Sequence, residues 1–79
     1  MSKLLLHEAI AIILLSKENR IASIEEIAIK INERNLYQRK DGKKVSPFQI
    51  MQRTKLSSGQ YHHLFEWFEP NMVRLRNLE

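Results

Sequence analysis

The chain has 79 residues, no cysteine and a formal net charge of +4. A chain of this length forms one small domain, which leaves little room for a large active-site cleft. The absence of cysteine excludes disulfides, a thiolate zinc site and a cysteine nucleophile, and it is compatible with a cytoplasmic location. The apolar stretch 4–16 is too short to span a membrane, and no cleavage site follows it, so no membrane attachment is predicted.

The first predicted element is a helix over residues 3–16. Leucine, isoleucine and alanine recur there at helical spacing, which indicates the central core helix of the domain. His7 and Glu8 lie within it as neighbours in sequence. Neighbouring side chains on a helix point about 100° apart, so these two do not form a catalytic pair and are predicted to be surface residues.

A second helix is predicted over residues 23–34. Ser23 and Glu26 form a capping box, and the apolar residues that follow obey the i, i+3, i+4, i+7 rule. Asn35 is suited to close this helix, after which Leu36 and Tyr37 bring the chain back to the core. A very short strand is predicted just before the helix, near Ile21.

The third helix is predicted to begin at Ser46 and to end near Lys55 or Leu56. Ser46 and Gln49 form another capping box, and Pro47 presets the backbone at the first helical position. After Thr54 the periodic pattern is lost and turn-forming residues accumulate over residues 55–60. One face of this helix is predicted to be apolar, since Ile50 and Thr54 share that face with Pro47 and Met51.

The other side chains of this helix point away from that apolar face, and they are Phe48, Gln49, Gln52, Arg53 and Lys55. Glutamine can bond adenine edges, arginine can bond guanine, and lysine can neutralise phosphate. The pattern therefore predicts a recognition helix in the DNA major groove. The alternative interpretation is an ordinary amphipathic surface helix without a partner.

The positive charge is concentrated next to this helix. Residues 36–58 hold six basic side chains and one acidic side chain: Arg39, Lys40, Lys43, Lys44, Arg53 and Lys55, against Asp41. Such a cluster suits a polyanion such as nucleic acid, whereas the alternative is a loop that is simply solvated. Asp41-Gly42 predicts a turn inside the segment 38–45, called the basic loop below. This loop is longer than the turn of a simple helix-turn-helix.

Two strand-like runs follow, over residues 64–68 and 72–76, with a turn between them. They predict an antiparallel hairpin with its inward residues on the core and with Arg74 and Arg76 on the other face. Trp67 and Phe68 are interpreted as packing residues of this hairpin. Three helices followed by a two-stranded hairpin are the order of a winged helix-turn-helix, so the predicted fold class is mainly α with a small β-hairpin, in a single domain over residues 1–76.

The best candidate for metal chemistry is His62-His63 with Glu66. Adjacent histidines entering a strand point to opposite sides, and no third or fourth ligand lies nearby in sequence. His63 is instead predicted at the edge of the core and His62 in solvent. No phosphate-binding glycine loop, serine nucleophile motif or paired carboxylates occur. We therefore predict no enzyme activity, no cofactor, no metal and no small-molecule substrate.

Several segments, in this order over residues 4–76, resemble the HARE-HTH family of winged helices: Leu6-His7-Glu8-Ala9-Ile10, Ile24-Glu25-Glu26-Ile27-Ala28 with Ile31-Asn32, Leu36-Tyr37 followed by Asp41-Gly42-Lys43, residues 46–53, His63-Leu64-Phe65 and Val73-Arg74-Leu75-Arg76. The resemblance implies a DNA-binding accessory domain, of a kind found at the N-terminus of restriction-type endonucleases and in chromatin-associated proteins. The delta subunit of bacterial RNA polymerase is a relative of that family. The hairpin departs from the family pattern, because residues 71–75 lack the glycine and aromatic residues of many members.

The sequence thus predicts a module that binds double-stranded DNA. Gln49, Gln52 and Arg53 are the candidate base or phosphate contacts, and phosphate neutralisation is assigned to Arg39, Lys40, Lys43, Lys44 and Lys55. The resemblance implies an N-terminal targeting domain of a larger bacterial restriction- or transcription-related protein, with a fused nuclease domain or RNA polymerase as partner. The alternative is a protein-interaction domain that docks through Phe48, Trp67 and Phe68. The final Leu78-Glu79 resembles an expression-vector remnant, so residues 77–79 are predicted to be a tail.

Overall fold

The structure is a computed structural model and describes residues 4–56 and 61–76. Its elements are α1 (Leu6–Leu15), β1 (Ile21–Ser23), α2 (Ile24–Arg34), α3 (Pro47–Met51), a π-helical turn (Gln52–Leu56) that continues α3, β2 (Phe65–Phe68) and β3 (Met72–Leu75). The described part of the chain is therefore three helices with a small antiparallel sheet. The first helix begins at Leu6, so its predicted start at residue 3 is wrong, since Leu4 and Leu5 are not helical. The predicted tail 77–79 lies outside the described residues.

The three predicted helices are confirmed, and their ends follow from local hydrogen bonding. The backbone N–H of Leu5 donates to Glu8 Oε1 at 2.8 Å where α1 begins. Ser23 Oγ accepts from the N–H of Glu26 at 3.0 Å at the start of α2, which confirms one half of the predicted capping box. The Glu26 carboxylate forms an ion pair of 2.6 Å with Lys17. Asn35 ends α2 in the left-handed conformation, with φ of 53°. Asparagine tolerates this conformation better than most residues, which explains why the helix stops there.

The sheet has three strands in the order β1-β3-β2, and both pairs are antiparallel. The short strand predicted near Ile21 is present, and it pairs with β3 so that Ala22 lies opposite Val73. The predicted two-stranded wing is therefore wrong in its strand number. A lone two-stranded hairpin is only marginally stable in water, and pairing with β1 satisfies the second edge of β3. The turn between β2 and β3 contains a cis Glu69–Pro70 bond.

The core lies where α1 meets α2, α3 and one face of the sheet. Its largest side chains are less than 2% exposed and come from every layer: Ile10, Ile13 and Leu14 of α1, Ile27 and Ile31 of α2, Ile50 of α3, and Phe65 and Val73 of the sheet. Leu36 and Tyr37 pack against this cluster, as predicted. Because α1 contributes three of these residues, it is the central helix that its periodicity indicated.

Within residues 4–56 and 61–76, no helix has the length and apolar character needed to cross a membrane.

Candidate nucleic-acid interface

The start of α3 is held by its capping box. The N–H of Ser46 donates to Gln49 Oε1 at 3.1 Å, and the N–H of Gln49 donates to Ser46 Oγ at 3.4 Å. Gln49 Oε1 also accepts from Arg39 Nη1 at 3.1 Å. The side chain predicted to read a base therefore caps α3 and positions an arginine of the basic loop.

The core side of α3 is as predicted. Ile50 is fully buried, and Thr54 is 1% exposed with its hydroxyl donating to the carbonyl of Ile50 at 2.8 Å. The helix ends at Leu56, within the predicted range, but its last residues form a π-helical turn that the periodicity did not indicate. Phe48 and Gln52, one turn apart on the opposite side, are exposed. This exposed face is the part of α3 that a partner can reach.

Asn32 of α2 holds the end of the basic loop in place. Its Nδ2 donates to the carbonyl of Val45 at 2.9 Å, and its Oδ1 accepts from the N–H of Val45 at 3.0 Å. The Asn32 side chain thus bonds both backbone polar groups of Val45, as a neighbouring strand would. Val45 itself is 4% exposed. The loop therefore enters α3 from a fixed point. No role was predicted for Asn32, although its position beside the apolar stripe of α2 was a usable signal.

The turn predicted at Asp41-Gly42 is present. Gly42 has φ of 76° and donates its N–H to the carbonyl of Arg39 at 3.0 Å. Asp41 accepts from the N–H of Lys43 at 3.0 Å and forms an ion pair of 2.8 Å with Arg39. The one acidic residue of the loop thus neutralises Arg39, the cation that Gln49 also holds.

Three lysines of the basic loop remain, Lys40, Lys43 and Lys44. All three are exposed, and none forms an ion pair within the described part of the chain. The three lysines lie within five residues of one another, and no described carboxylate neutralises any of them. Binding of a polyanion at this loop therefore breaks no existing ion pair of these lysines, and it relieves their mutual repulsion.

The two cations near the end of α3 have different surroundings. Lys55 Nζ forms an ion pair of 2.8 Å with Glu69 and lies 5.1 Å from the centre of the Trp67 ring. Arg53 places its guanidinium 5.7 Å from the centre of the Tyr61 ring. Exposed ion pairs contribute little free energy, so Lys55 can exchange Glu69 for a phosphate at small cost. Arg53 has no carboxylate partner among the residues that the structure describes.

Tyr61 also contacts α1. Its ring stacks on that of His7, with 4.4 Å between the ring centres. His7 is therefore half-buried, and the prediction of a surface residue is wrong, because the chain before β2 crosses this side of α1. The stack connects α1 to the Tyr61 ring, over which the Arg53 guanidinium lies.

Glu69 supplies a measurable pH dependence. The hydrogen bond from Lys55 and then that from Trp67 Nε1, at 3.0 Å, hold the pKa of this carboxyl below its usual value. A lowered folded-state pKa means that the stabilisation is present above the unfolded-state pKa and is lost as the pH falls through the folded-state pKa. We expect Lys55→Met to raise the pKa of Glu69, measured by NMR titration of its carboxyl carbon. Lys43→Met is the matched control and should leave this pKa unchanged; an equal rise in both variants would contradict the assignment.

The histidines do not assemble a metal site in the described ranges, 4–56 and 61–76, where no group of three or more histidine, cysteine or acidic side chains could hold an ion. His62 Nε2 lies 3.1 Å from the carbonyl of Lys55, and Glu66 is paired with Arg74. His63 is exposed, so its predicted place at the core edge is wrong; Leu64 and Phe65, which follow it, are the residues that turn inward.

Comparison with known proteins adds no relative: no family model, no curated protein and no solved structure matches the chain.

Proposed function

We propose that this domain is a winged helix-turn-helix module that binds double-stranded DNA, with the exposed face of α3 in the major groove. One observation carries the proposal: three exposed lysines, Lys40, Lys43 and Lys44, form no ion pair with any described residue and stand on a loop that Asn32 fixes directly before α3. Phosphate contacts position a protein on a duplex, and a fixed cationic loop beside a helix suits that role.

Cations at both ends of α3 support the same placement. The loop lysines precede the helix, and Arg53 and Lys55 lie near its end. A major groove is about 12 Å wide and is bordered by phosphates on both sides. A helix with cations before and after its exposed face can therefore meet both backbones.

The candidate contacts have distinct roles in this proposal. Gln52, which is exposed on the outer face of α3, and Arg53 are the base-contact candidates, and Gln49 has the separate role of capping α3 and holding Arg39. Arg39 and Lys55 each have an exposed carboxylate partner, so they are secondary phosphate contacts. Lys40, Lys43 and Lys44, which form no ion pair within residues 4–56 and 61–76, are the primary ones.

The β2–β3 hairpin is assigned to bracing α3. Glu69 of its turn binds Lys55, and His62, just before β2, contacts the Lys55 carbonyl. Arg74 of β3 is paired with Glu66 across the hairpin. The contacts of Glu69 and His62 with Lys55 connect the hairpin to the end of the recognition helix, so the hairpin acts as a wing that supports this helix and does not itself contact bases.

The resemblance to the HARE-HTH family suggests the setting. In that setting the domain is a non-catalytic targeting module of a cytoplasmic bacterial protein of restriction or transcription, and a fused nuclease domain or RNA polymerase supplies the remaining activity. Fold analogy does not determine function, so this setting rests on the family pattern alone.

Protein docking is the second candidate function, supported by Phe48, which is 56% exposed. The other two aromatic residues of that interpretation are covered by cations. Lys55 lies over the Trp67 ring, and the Arg74 guanidinium is 5.8 Å from the centre of the Phe68 ring. A continuous apolar docking surface through all three rings is therefore less well supported than DNA binding.

The test is a titration of isotope-labelled protein with a short DNA duplex at low and at moderate salt, followed through the backbone amides. We expect shifts over residues 40–56, and an affinity that falls with salt at a log–log slope of about −3 for the three primary contacts, or about −4.5 when the two secondary contacts also form, at about 0.9 for each phosphate contact. Heparin serves as the control, because a polyanion without grooves should shift the basic loop but not Gln52. An absence of shifts at low salt would contradict DNA binding and favour the second candidate function, protein docking.

A further inference from the structure

Phosphate binding does not explain the exposed side chain of Phe48 on α3. That side chain is 56% exposed, whereas Ile50, two residues later and about 200° around the helix, is fully buried. Single exposed apolar residues are common on protein surfaces. Phe48 differs in its position, since it stands beside the basic loop on the face proposed to meet DNA.

The surroundings of Phe48 decide which apolar partner fits. The basic loop before α3 carries three lysines that form no ion pair in the described part of the chain, and their charges repel a cationic surface and attract a polyanion. In the major groove the apolar group that a duplex presents is the 5-methyl group of thymine, and phenylalanine is one of the side chains that contact it. An aromatic ring and a methyl group bury apolar surface against each other there.

We propose that Phe48 is a specificity-determining residue that packs against a thymine methyl group, so that the domain prefers sites with thymine at one position. This inference rests on the proposed DNA binding by α3. It assigns Phe48 a role in sequence preference, whereas the lysines contribute affinity without sequence preference.

The local structure gives the ring a defined position. Pro47 occupies the first turn of α3, and the Ser46–Gln49 capping box fixes the backbone on either side of Phe48. The Asn32 clamp on Val45 holds the chain just before it. Phenylalanine has only two side-chain torsions, so ordering the ring against a base costs little conformational entropy.

The test compares a thymine-containing duplex with the same duplex in which every thymine is replaced by deoxyuridine, which removes only the methyl groups. We expect wild-type protein to bind the deoxyuridine duplex about fourfold more weakly for one buried methyl group. Phe48→Ala should bind both duplexes equally, and Phe48→Leu should retain part of the preference. Because Phe48 is exposed, thermal unfolding should confirm that both variants are folded.

The outcomes separate the two proposals. Equal wild-type affinity for both duplexes overturns the role of Phe48 and leaves DNA binding in place. A thymine preference that persists in Phe48→Ala also overturns it, because another side chain then reads the methyl group. Binding of neither duplex at low salt overturns both proposals, and Phe48 then becomes a protein contact.

Discussion

Replacing Ile50 with alanine is expected to lower the free energy of unfolding by about 2–5 kcal/mol. The side chain is fully buried between α3 and the rest of the core. α3 has only five residues before its π-helical turn, and isolated helices of that length are not stable in water. Its helical state therefore depends on packing, chiefly through Ile50. For a domain of this size the loss is a large share of a total stability of about 4–12 kcal/mol.

Phe48→Ala is the matched control, since it removes a larger apolar side chain from the exposed side of the same helix. Its effect should stay within about 0.5 kcal/mol, as for other surface substitutions. Urea denaturation followed by circular dichroism measures both variants, provided that the slope with urea is unchanged. Similar losses in the two variants would mean that α3 is not anchored through Ile50.

Much of the helical structure could be predicted because its signals are local. The capping boxes at Ser23 and Ser46 mark helix starts within four residues, and Asn35 marks an end. The apolar spacing of α1 and α2 then assigns their buried faces. The three-stranded sheet could not be predicted in the same way, because the pairing of Ala22 with Val73 joins segments about 50 residues apart in sequence.

The sequence predicted where the positive charge of the candidate site is concentrated, but it did not predict which basic side chains form ion pairs. Counting charged residues located the basic loop, and Asp41-Gly42 located its turn. The ion pair of Lys55 with Glu69 spans 14 residues and depends on how the hairpin packs against the end of α3. The prediction therefore could not separate the neutralised cations from the unpaired lysines.

Gln49 shows how one residue type supports two interpretations. Glutamine at the third helical position can close a capping box, and glutamine on an exposed helix face can bond adenine. In the structure the side-chain oxygen of Gln49 accepts from the N–H of Ser46 and from Arg39, so Gln49 has the capping role. Local backbone N–H groups lack other partners at a helix start, which gives the capping role its advantage.

The double substitution Lys43→Glu with Lys44→Glu is expected to weaken DNA binding about a hundredfold at 0.1 M salt. Each phosphate contact contributes about 0.9 log units of affinity per log unit of salt concentration, so two lost contacts account for nearly two orders of magnitude at that concentration. Both side chains are exposed and unpaired among the described residues, so the fold should be retained. Fluorescence anisotropy over a salt series measures the change, and the log–log slope should flatten by about two.

A matched pair on α2 separates a local effect from one of net charge. Lys30→Glu with Arg34→Glu changes the formal charge by the same amount. Lys30 lies about 200° around α2 from Asn32, the residue that holds the basic loop, so this pair is on the other side of the helix. If DNA contacts the basic loop, the α2 pair should weaken binding far less than the loop pair and should leave the slope nearly unchanged. Equal losses from both pairs would show that affinity follows total charge, and the loop would then have no special place in binding.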